Sequence, residues 1–190
     1  LRRWPARLTK RLFDLTAAAC LIIVLSPIMM LIALALKLEG GSVLFAHTRV
    51  GKKGRAFRCY KFRSMVPNAQ EKLQNLLQQN AHLKSEWDRE HKLKDDPRVS
   101  KVGDFLRRTS LDELPQLLNV LLGHMSLVGP RPDVPAQRAL YSEADWAARC
   151  SVRPGVTGLA QARLRSAATP EQRLALDLQY AREAGLWLDL

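Results

Sequence analysis

Residues 15–36 read LTAAACLIIVLSPIMMLIALAL and contain no charged side chain. A straight helix of about 22 residues, rising about 1.5 Å per residue, is long enough to cross the ~30 Å hydrocarbon core of a bilayer. The stretch therefore predicts a helix in contact with lipid. Whether that helix crosses the membrane or returns to the side it entered decides the fold.

Pro27 lies near the middle of this apolar run, directly after Ser26. A proline inside a helix removes one backbone hydrogen bond and clashes with the preceding turn, so we expect a sharp bend here. The Ser26 hydroxyl can bond to the carbonyl that the proline leaves without a partner, which makes a broken helix tolerable inside a membrane. The pair predicts a re-entrant membrane helix hairpin kinked at Ser26-Pro27.

Basic residues flank the apolar run on both sides. They are Arg2, Arg3, Arg7, Lys10 and Arg11 before it, and Lys37, Arg49, Lys52, Lys53 and Arg55 after it. Basic flanks stay on the cytoplasmic side of a membrane, and a hairpin that enters and leaves on one face satisfies both flanks. We therefore expect two parts: residues 1–38, a basic N-terminus with the re-entrant helix, and residues 39–190, a cytosolic membrane-associated domain.

Two other interpretations of the run compete with the hairpin. A single transmembrane helix explains the hydropathy equally well. A signal peptide would explain the basic N-terminus and the small-x-small pattern of Ala33-Leu34-Ala35. The run is longer than the ~7–15 residues of a signal-peptide core, which argues against the second interpretation.

The charge balance indicates an anionic partner. Lysine and arginine total 30 against 18 aspartate and glutamate, a formal net charge of +12. Nucleic acid, anionic membrane lipids and phosphorylated substrates all fit such an excess. Aromatic residues are only 6% of the chain and no nucleic-acid motif is evident, so we expect membrane lipids and no nucleic acid.

The stretch SLDELPQLLNVLLGHMSLVGPRP, residues 110–132, carries the candidate chemistry. It begins with the adjacent carboxylates Asp112 and Glu113, and Arg98, Arg107 and Arg131 lie before and after them. Arginine binds phosphate oxygens with two parallel hydrogen bonds, while carboxylates hold a hard metal ion or attack phosphorus. The combination favours a polyphosphate substrate, although an Asp-Glu pair after a serine is also an ordinary helix cap.

The start of the helix in this stretch is ambiguous. Ser110 and Glu113 fit a capping box, which places Pro115 inside the helix. Pro115 alternatively fits the first helical position, where a proline costs little. In either case we expect Asp112 and Glu113 at the positive end of a helix dipole, which favours ionised carboxylates.

The remaining patterns predict a mainly helical α+β fold. Residues 42–49 and 56–65 predict a small β-hairpin that carries Arg49, Lys61 and Arg63, either facing a substrate or lipid headgroup or forming a basic strand edge. Residues 68–94 predict an amphipathic helix or helix pair, packed on the core or lying at the membrane interface. Residues 169–184 predict a final amphipathic helix.

The chain resembles the bacterial sugar transferases, which are monotopic phosphoglycosyl transferases. The motifs that carry the resemblance are Lys10-Arg11-x-x-Asp14, Ser26-Pro27, Arg49-Val50-Gly51, Tyr60-Lys61-Phe62-Arg63-Ser64-Met65, residues 110–132 and Pro154-Gly155-Val156-Thr157-Gly158. It extends from about Lys10 to the C-terminus. The resemblance implies the same re-entrant hairpin, at the bacterial inner (cytoplasmic) membrane with the active site on the cytoplasmic face.

It also implies an activity. Members move a hexose-1-phosphate from a UDP-sugar to undecaprenyl phosphate with release of UMP, which initiates exopolysaccharide, O-antigen or other glycoconjugate synthesis. Asp112 would be the nucleophile that forms an aspartyl-phosphosugar, and it would contact Mg²⁺, the expected cofactor. Glu113 would accept or relay a proton or orient the metal.

The substrate-binding residues that we expect are Arg107, Arg131, Arg98, Lys61, Arg63, Gln161 and Arg165. The chain departs from the family pattern at His124, where Asp is usual, and at residues 160–165, which lack the usual tryptophan and glycine. The identity of the sugar stays open, as does the oligomeric state, with a homodimer among the alternatives. A basic membrane-tethered adaptor and a metal-dependent phosphatase are the competing functions.

Overall fold

The computed structural model describes residues 4–90, 93, 96–164 and 169–189. By their internal contacts these residues form two compact units. The first unit comprises Leu1–Ser26, Ala46–Tyr60 and Pro115–Leu190, and the second comprises Pro27–Phe45 and Lys61–Leu114. Each unit is therefore assembled from segments that are distant in the sequence.

The fold is mainly helical, with small strand pairs, as the sequence predicts. The helices are α1 (Trp4–Leu38), α2 (Ala69–Gln79), α3 (Ala81–Glu90), α4 (Lys101–Thr109), α5 (Gln116–Leu121), α6 (Glu143–Arg149), α7 (Leu159–Leu164), α8 (Pro170–Glu183) and α9 (Leu186–Asp189). The strands are β1 (Leu44–Val50), β2 (Ala56–Phe62), β3 (Ser126–Val128) and β4 (Gly155–Thr157), and short 3₁₀ turns cover Lys52–Gly54, Leu111–Glu113 and Pro135–Leu140.

Helix α1 contains the apolar run. Its segment Ala6–Leu38 is long enough to cross a membrane, and within it an 18-residue window has a mean hydropathy of 2.8 with only 11% of that window buried in the protein. Pro27 lies inside the helix, and the Ser26 hydroxyl donates to the carbonyl of Ile23 at 2.8 Å. That carbonyl is the one that would have bonded to an N–H at position 27, so the expected compensation by Ser26 is present. The re-entrant bend stays a prediction.

The first unit has a core formed by α1, β2, α5 and β3. Its buried members are Ala18, Phe57, Cys59, Leu117, Val120 and Met125. Asn119 of α5 is fully buried beside them, where its side-chain oxygen accepts from the N–H of Tyr60 at 2.9 Å and its amide donates to the carbonyl of Arg58 at 2.7 Å. Asn119 thus supplies hydrogen-bond partners to two backbone groups of β2.

Strands β3 and β4 pair in parallel, with Ser126 opposite Gly155 and Val128 opposite Thr157. The chain also folds back closely at Gly129, whose N–H donates to the carbonyl of Thr157 at 2.9 Å. A side chain at Gly155 would collide with the Gly129 backbone nitrogen. The Pro154-Gly155 motif therefore serves a close backbone approach in addition to forming a loop.

The second unit packs the far half of α1 against β2 and α4. Its buried apolar side chains are Ile32, Leu36, Phe62 and Leu106. Helices α2 and α3 confirm the predicted helix pair, and Asn80 between them accepts hydrogen bonds from the N–H groups of His82 and Leu83 with its side chain. Asn80 is therefore the N-cap of α3.

The structure settles the ambiguous helix start. Helix α5 begins at Gln116 with Pro115 as its N-cap residue, one position before the first helical position that we expected for it, and the Ser110 capping box is wrong. Ser110 adopts the left-handed conformation (φ 58°), and its N–H donates to the carbonyl of Arg107 at 3.3 Å, which closes α4. Asp112 and Glu113 then lie in a separate 3₁₀ turn, Leu111–Glu113.

We expect Gly155→Ala to destabilise the protein by about 1–3 kcal/mol, because the added carbon would force the backbone at Gly129 to move. Gly185→Ala is the matched control, since its added carbon would meet nothing nearer than the Glu183 carbonyl oxygen at 3.6 Å. Thermal unfolding in detergent measures both. Equal melting temperatures for Gly155→Ala and the unchanged protein would contradict the close approach.

Candidate active site

The turn that carries Asp112 and Glu113 lies against Lys61, which is at the end of β2 in the same unit. The ammonium of Lys61 lies 2.6 Å from Glu113 Oε1 and 3.5 Å from Asp112 Oδ2. The three side chains are largely shielded from solvent, with 23% of Lys61, 12% of Asp112 and 17% of Glu113 exposed. One cation therefore holds two adjacent carboxylates together.

Burial raises the pKa of the Asp112 carboxyl above its usual range. The nearby charge of Lys61 opposes this shift, Glu113 adds to it by like-charge repulsion, and Arg107 lowers the pKa to a smaller extent. A desolvated carboxylate whose charged form depends on one lysine is the environment in which carboxylates acquire catalytic reactivity.

Asp112 and Glu113 lie just before α5, which starts at Gln116, and the effect of its dipole on their ionisation stays a prediction. The largest influence on the pKa of Asp112 is burial, which disfavours the charge. Among the side chains around it, Lys61 favours the charged carboxylate most.

Arg107 lies on α4 with its guanidinium exposed to solvent. Its Nε donates to the Ser64 hydroxyl at 2.8 Å. Gly103, one turn earlier on α4, packs so closely on the Ser64 carbonyl that a side chain there would collide with it. The two contacts fix α4 against the segment after β2, and they leave the rest of the Arg107 guanidinium directed to solvent.

Two other arginines that we expected to bind substrate make hydrogen bonds and ion pairs within the protein. Arg63 is buried and donates to the carbonyls of Gly40 and Leu36, with the Leu36 bond at 3.0 Å, and so caps the C-terminus of α1. Arg98 is also buried; it pairs with Asp96 at 2.6 Å and stacks on Trp87, with 5.1 Å from its Cζ to the ring centre. Substrate contact by either arginine stays a prediction.

The remaining predicted residues belong to the first unit or lie outside the described residues. Arg131 has an exposed side chain, and its carbonyl accepts from Arg149 Nη2 at 2.6 Å. Gln161 is half-buried on α7. Arg165 lies outside the described residues.

The carboxylates of Asp112 and Glu113 suit a metal ion that the protein and the phosphate oxygens of a substrate bind together. Among the residues that the structure describes, no group of three or more His, Cys, Asp or Glu side chains is placed to hold a metal. Mg²⁺ in phosphoryl-transfer sites is commonly bound by one or two carboxylates together with phosphate oxygens of the substrate. Asp112 and Glu113 can supply that part, so the residues present fit the ion.

Ser64 is a residue that sequence reasoning overlooked as part of the site. It appears in the Tyr60–Met65 motif, but nothing in the motif shows that its hydroxyl holds the Arg107 guanidinium. The sequence feature that could have indicated a role for Ser64 in the site is its position three residues after Lys61.

A shielded Asp-Glu pair with a lysine, together with a membrane-length apolar helix, defines a membrane-associated class of protein with a site suited to phosphate chemistry. Sequence comparison identifies the family. The bacterial sugar transferase model matches residues 5–190, and the chain belongs to that family.

Several relatives match most or all of the chain. The undecaprenyl-phosphate galactose phosphotransferase of Salmonella typhimurium is 43% identical over 190 residues, which are 100% of this chain and 40% of that protein. The UDP-glucose:undecaprenyl-phosphate glucose-1-phosphate transferase of Escherichia coli is 41% identical over 192 residues, 97% of this chain and 38% of that protein. The exopolysaccharide production protein ExoY of Rhizobium meliloti is 43% identical over 184 residues, 96% of this chain and 81% of that protein. The chain thus spans about 40% of the length of several curated relatives.

We expect Lys61→Met to raise the pKa of Asp112 further, because removing an adjacent opposite charge disfavours the carboxylate. Titration of the Asp112 carboxyl carbon by NMR measures the pKa. Lys101→Met, on the exposed start of α4, is the control and leaves the pKa unchanged. An Asp112 pKa that stays the same or falls in Lys61→Met would show that Lys61 does not stabilise the charge.

Proposed function

We propose that this protein transfers a hexose-1-phosphate from a UDP-sugar to undecaprenyl phosphate and releases UMP. The observation that carries the proposal is the shielded Asp112 carboxylate, held with Glu113 by Lys61 at the start of the motif that marks the family. The names of the relatives from Salmonella and Escherichia coli describe sugar-phosphate transfer to this lipid, which supports the same substrates here.

Asp112 is the nucleophile in this proposal. One of its carboxylate oxygens attacks the phosphorus bonded to the sugar, and the bond from that phosphorus to the bridging oxygen of the diphosphate breaks. The bridging oxygen leaves with UMP, and the sugar phosphate stays on Asp112 as an acyl phosphate. A phosphate oxygen of the lipid then attacks the same phosphorus and frees the Asp112 carboxylate, giving a sugar-diphospholipid.

The surrounding residues have distinct tasks. Lys61 keeps Asp112 ionised, and Glu113 holds Lys61 in place and accepts or relays a proton near the phosphate. Arg107, anchored on Ser64, directs its remaining donors to phosphate oxygens. When Mg²⁺ is bound, Asp112 and Glu113 hold it, and it offsets the negative charge of the diphosphate.

Helix α1 places this site at the membrane surface in our proposal. The apolar half of α1 before Pro27 enters the bacterial inner membrane from the cytoplasmic face, and the half after Pro27 returns to that same face. The two halves together form a re-entrant hairpin. Three features support this topology: the proline in the apolar run, the Ser26 bond to Ile23, and the basic residues on both flanks. The lipid phosphate acceptor lies at that same surface.

The decisive experiment incubates the purified chain in detergent with Mg²⁺, undecaprenyl phosphate and a panel of UDP-sugars, and follows UMP and lipid-linked product. We expect UMP from one donor, dependent on lipid, and a fall of at least about a thousandfold in Asp112→Asn. Asp104→Asn, an exposed site on α4, is the matched control and keeps its activity.

Other results would overturn parts of the proposal. UMP without a lipid-linked product indicates hydrolysis by a phosphatase. Full activity in Asp112→Asn removes this residue as the nucleophile. No UMP from any donor, with the protein folded, favours a basic membrane adaptor.

The topology has a separate test. Leu8→Cys and Leu38→Cys are exposed positions near the two ends of α1, placed singly in a chain whose native cysteines are replaced. A re-entrant hairpin exposes both cysteines to a membrane-impermeant maleimide on the cytoplasmic side only. If one of the two cysteines were labelled only from the cytoplasmic side and the other only from the opposite side, α1 would cross the membrane as a straight helix instead.

A further inference from the structure

A polar cavity lies in the first unit, and it shares no residue with the Asp112 turn. It is an open cleft of about 380 Å³ between the start of α1, the turn after β1, the segment before β4 and the end of α8. This volume falls within the usual range for small-molecule sites. Six basic side chains line the cleft: Arg7, Lys10, Arg11, Lys52, Arg153 and Arg182.

One of these six cations, Lys10, forms ion pairs with carboxylates of the protein. Lys10 is buried, and its ammonium lies 2.8 Å from both Asp14 Oδ1 and Asp189 Oδ2, and 2.6 Å from the Ser126 hydroxyl. Asp14 is the only acid among the described residues that line the cleft, and it also accepts from Ser126 and from the Leu127 N–H. The acids near Lys10 are therefore already engaged.

Two of the arginines are held in position by backbone carbonyls. Arg11 donates to the carbonyl of Val120 at 2.8 Å, and Arg153 donates to that of Gly123 at 2.8 Å. Neutral carbonyl partners orient a guanidinium without cancelling its charge. The wall of the cleft is thus rigid and positive.

Lys52 and Arg182 complete the lining. Within the ranges that the structure describes, neither side chain has a hydrogen-bonding or ion-pairing partner. Burial lowers the pKa of the half-buried Lys52, and the positive charges of Arg153, Arg7 and Lys53 lower it further. Cations that repel one another around a cleft are stabilised when an anion enters it.

We propose that this cleft binds the phosphate group of an anionic lipid headgroup. Arg7, Lys10 and Arg11 lie on α1 immediately before the apolar run of residues 15–36, so a membrane-inserted α1 holds them at headgroup depth. The guanidinium groups of Arg11 and Arg153, held by backbone carbonyls, and the ammonium of Lys52 suit a phosphate, which offers several acceptor oxygens. The cleft therefore gives the protein a lipid contact that is independent of the transfer reaction.

The test uses the full chain in dodecyl maltoside and measures binding by thermophoresis. The probes are dihexanoyl phosphatidic acid, dihexanoyl phosphatidylcholine, inorganic phosphate and UMP. The cleft variant is Lys52→Gln with Arg182→Gln. The control is Lys53→Gln with Arg173→Gln, which makes the same charge change at neighbouring exposed positions that do not line the cleft.

We expect the unchanged protein to bind phosphatidic acid more tightly than phosphatidylcholine. The cleft variant should bind phosphatidic acid about tenfold more weakly or worse, since two charge-assisted contacts are lost. The control should stay within about twofold, because an exposed charge contributes little. Asp112→Asn should bind it as the unchanged protein does.

Three results would overturn the proposal. Equal weakening in the cleft variant and the control would show a general effect of surface charge. Inorganic phosphate or UMP that binds as tightly as phosphatidic acid, and depends equally on Lys52 and Arg182, would assign the cleft to a soluble phosphate compound. Weakened binding in Asp112→Asn would place the lipid phosphate at the Asp112 turn.

Discussion

The candidate site depends on the ammonium group of Lys61. Asp112 and Glu113 are consecutive residues in a shielded turn, where two negative charges repel each other strongly because little water screens them. Lys61 lies 2.6 Å from Glu113 and 3.5 Å from Asp112 and offsets that repulsion. Without it, one carboxyl would bind a proton or the turn would open to water. The two carboxylates lie side by side in a shielded turn because the end of β2 brings the Lys61 ammonium against both of them.

This arrangement places opposing influences on Asp112. Burial raises its pKa, and a more basic carboxylate is a stronger nucleophile when it is ionised. Lys61 lowers the pKa and so favours the charged form of the carboxyl. Desolvation of this kind costs stability, and it is expected where a fold retains a group for chemistry. Arg107 contributes less to the charge of Asp112, which leaves it available for the phosphate.

Local patterns in the sequence were sufficient for the two strands of the hairpin, for helical structure in residues 68–94 and for helix α8, because period and capping residues act over a few positions, but they did not predict β3 and β4. They failed where distant segments decide the outcome. Ser110 and Glu113 form a good capping signature, yet the left-handed Ser110 closes α4 and leaves the carboxylates in a 3₁₀ turn. Residue type showed that Arg63 and Arg98 are cations, but their partners depend on tertiary packing. The six cations of the cleft come from four separate segments and have no local signature.

The cap that Arg63 forms on α1 fixes the number of residues between Arg63 and Lys61. Lys61 contacts the carboxylate turn, and Arg63, two residues later, holds the carbonyls at the end of the membrane helix, while its own N–H donates to the Val43 carbonyl at 2.9 Å. Side chains two apart in extended backbone point to the same face, and side chains one or three apart do not. A single codon inserted or deleted between these positions would turn one of the two side chains away from its partner. The two-residue spacing of Lys61 and Arg63 therefore determines how one extended segment joins the carboxylate turn to the end of α1, and a change of chain length here would separate the two contacts.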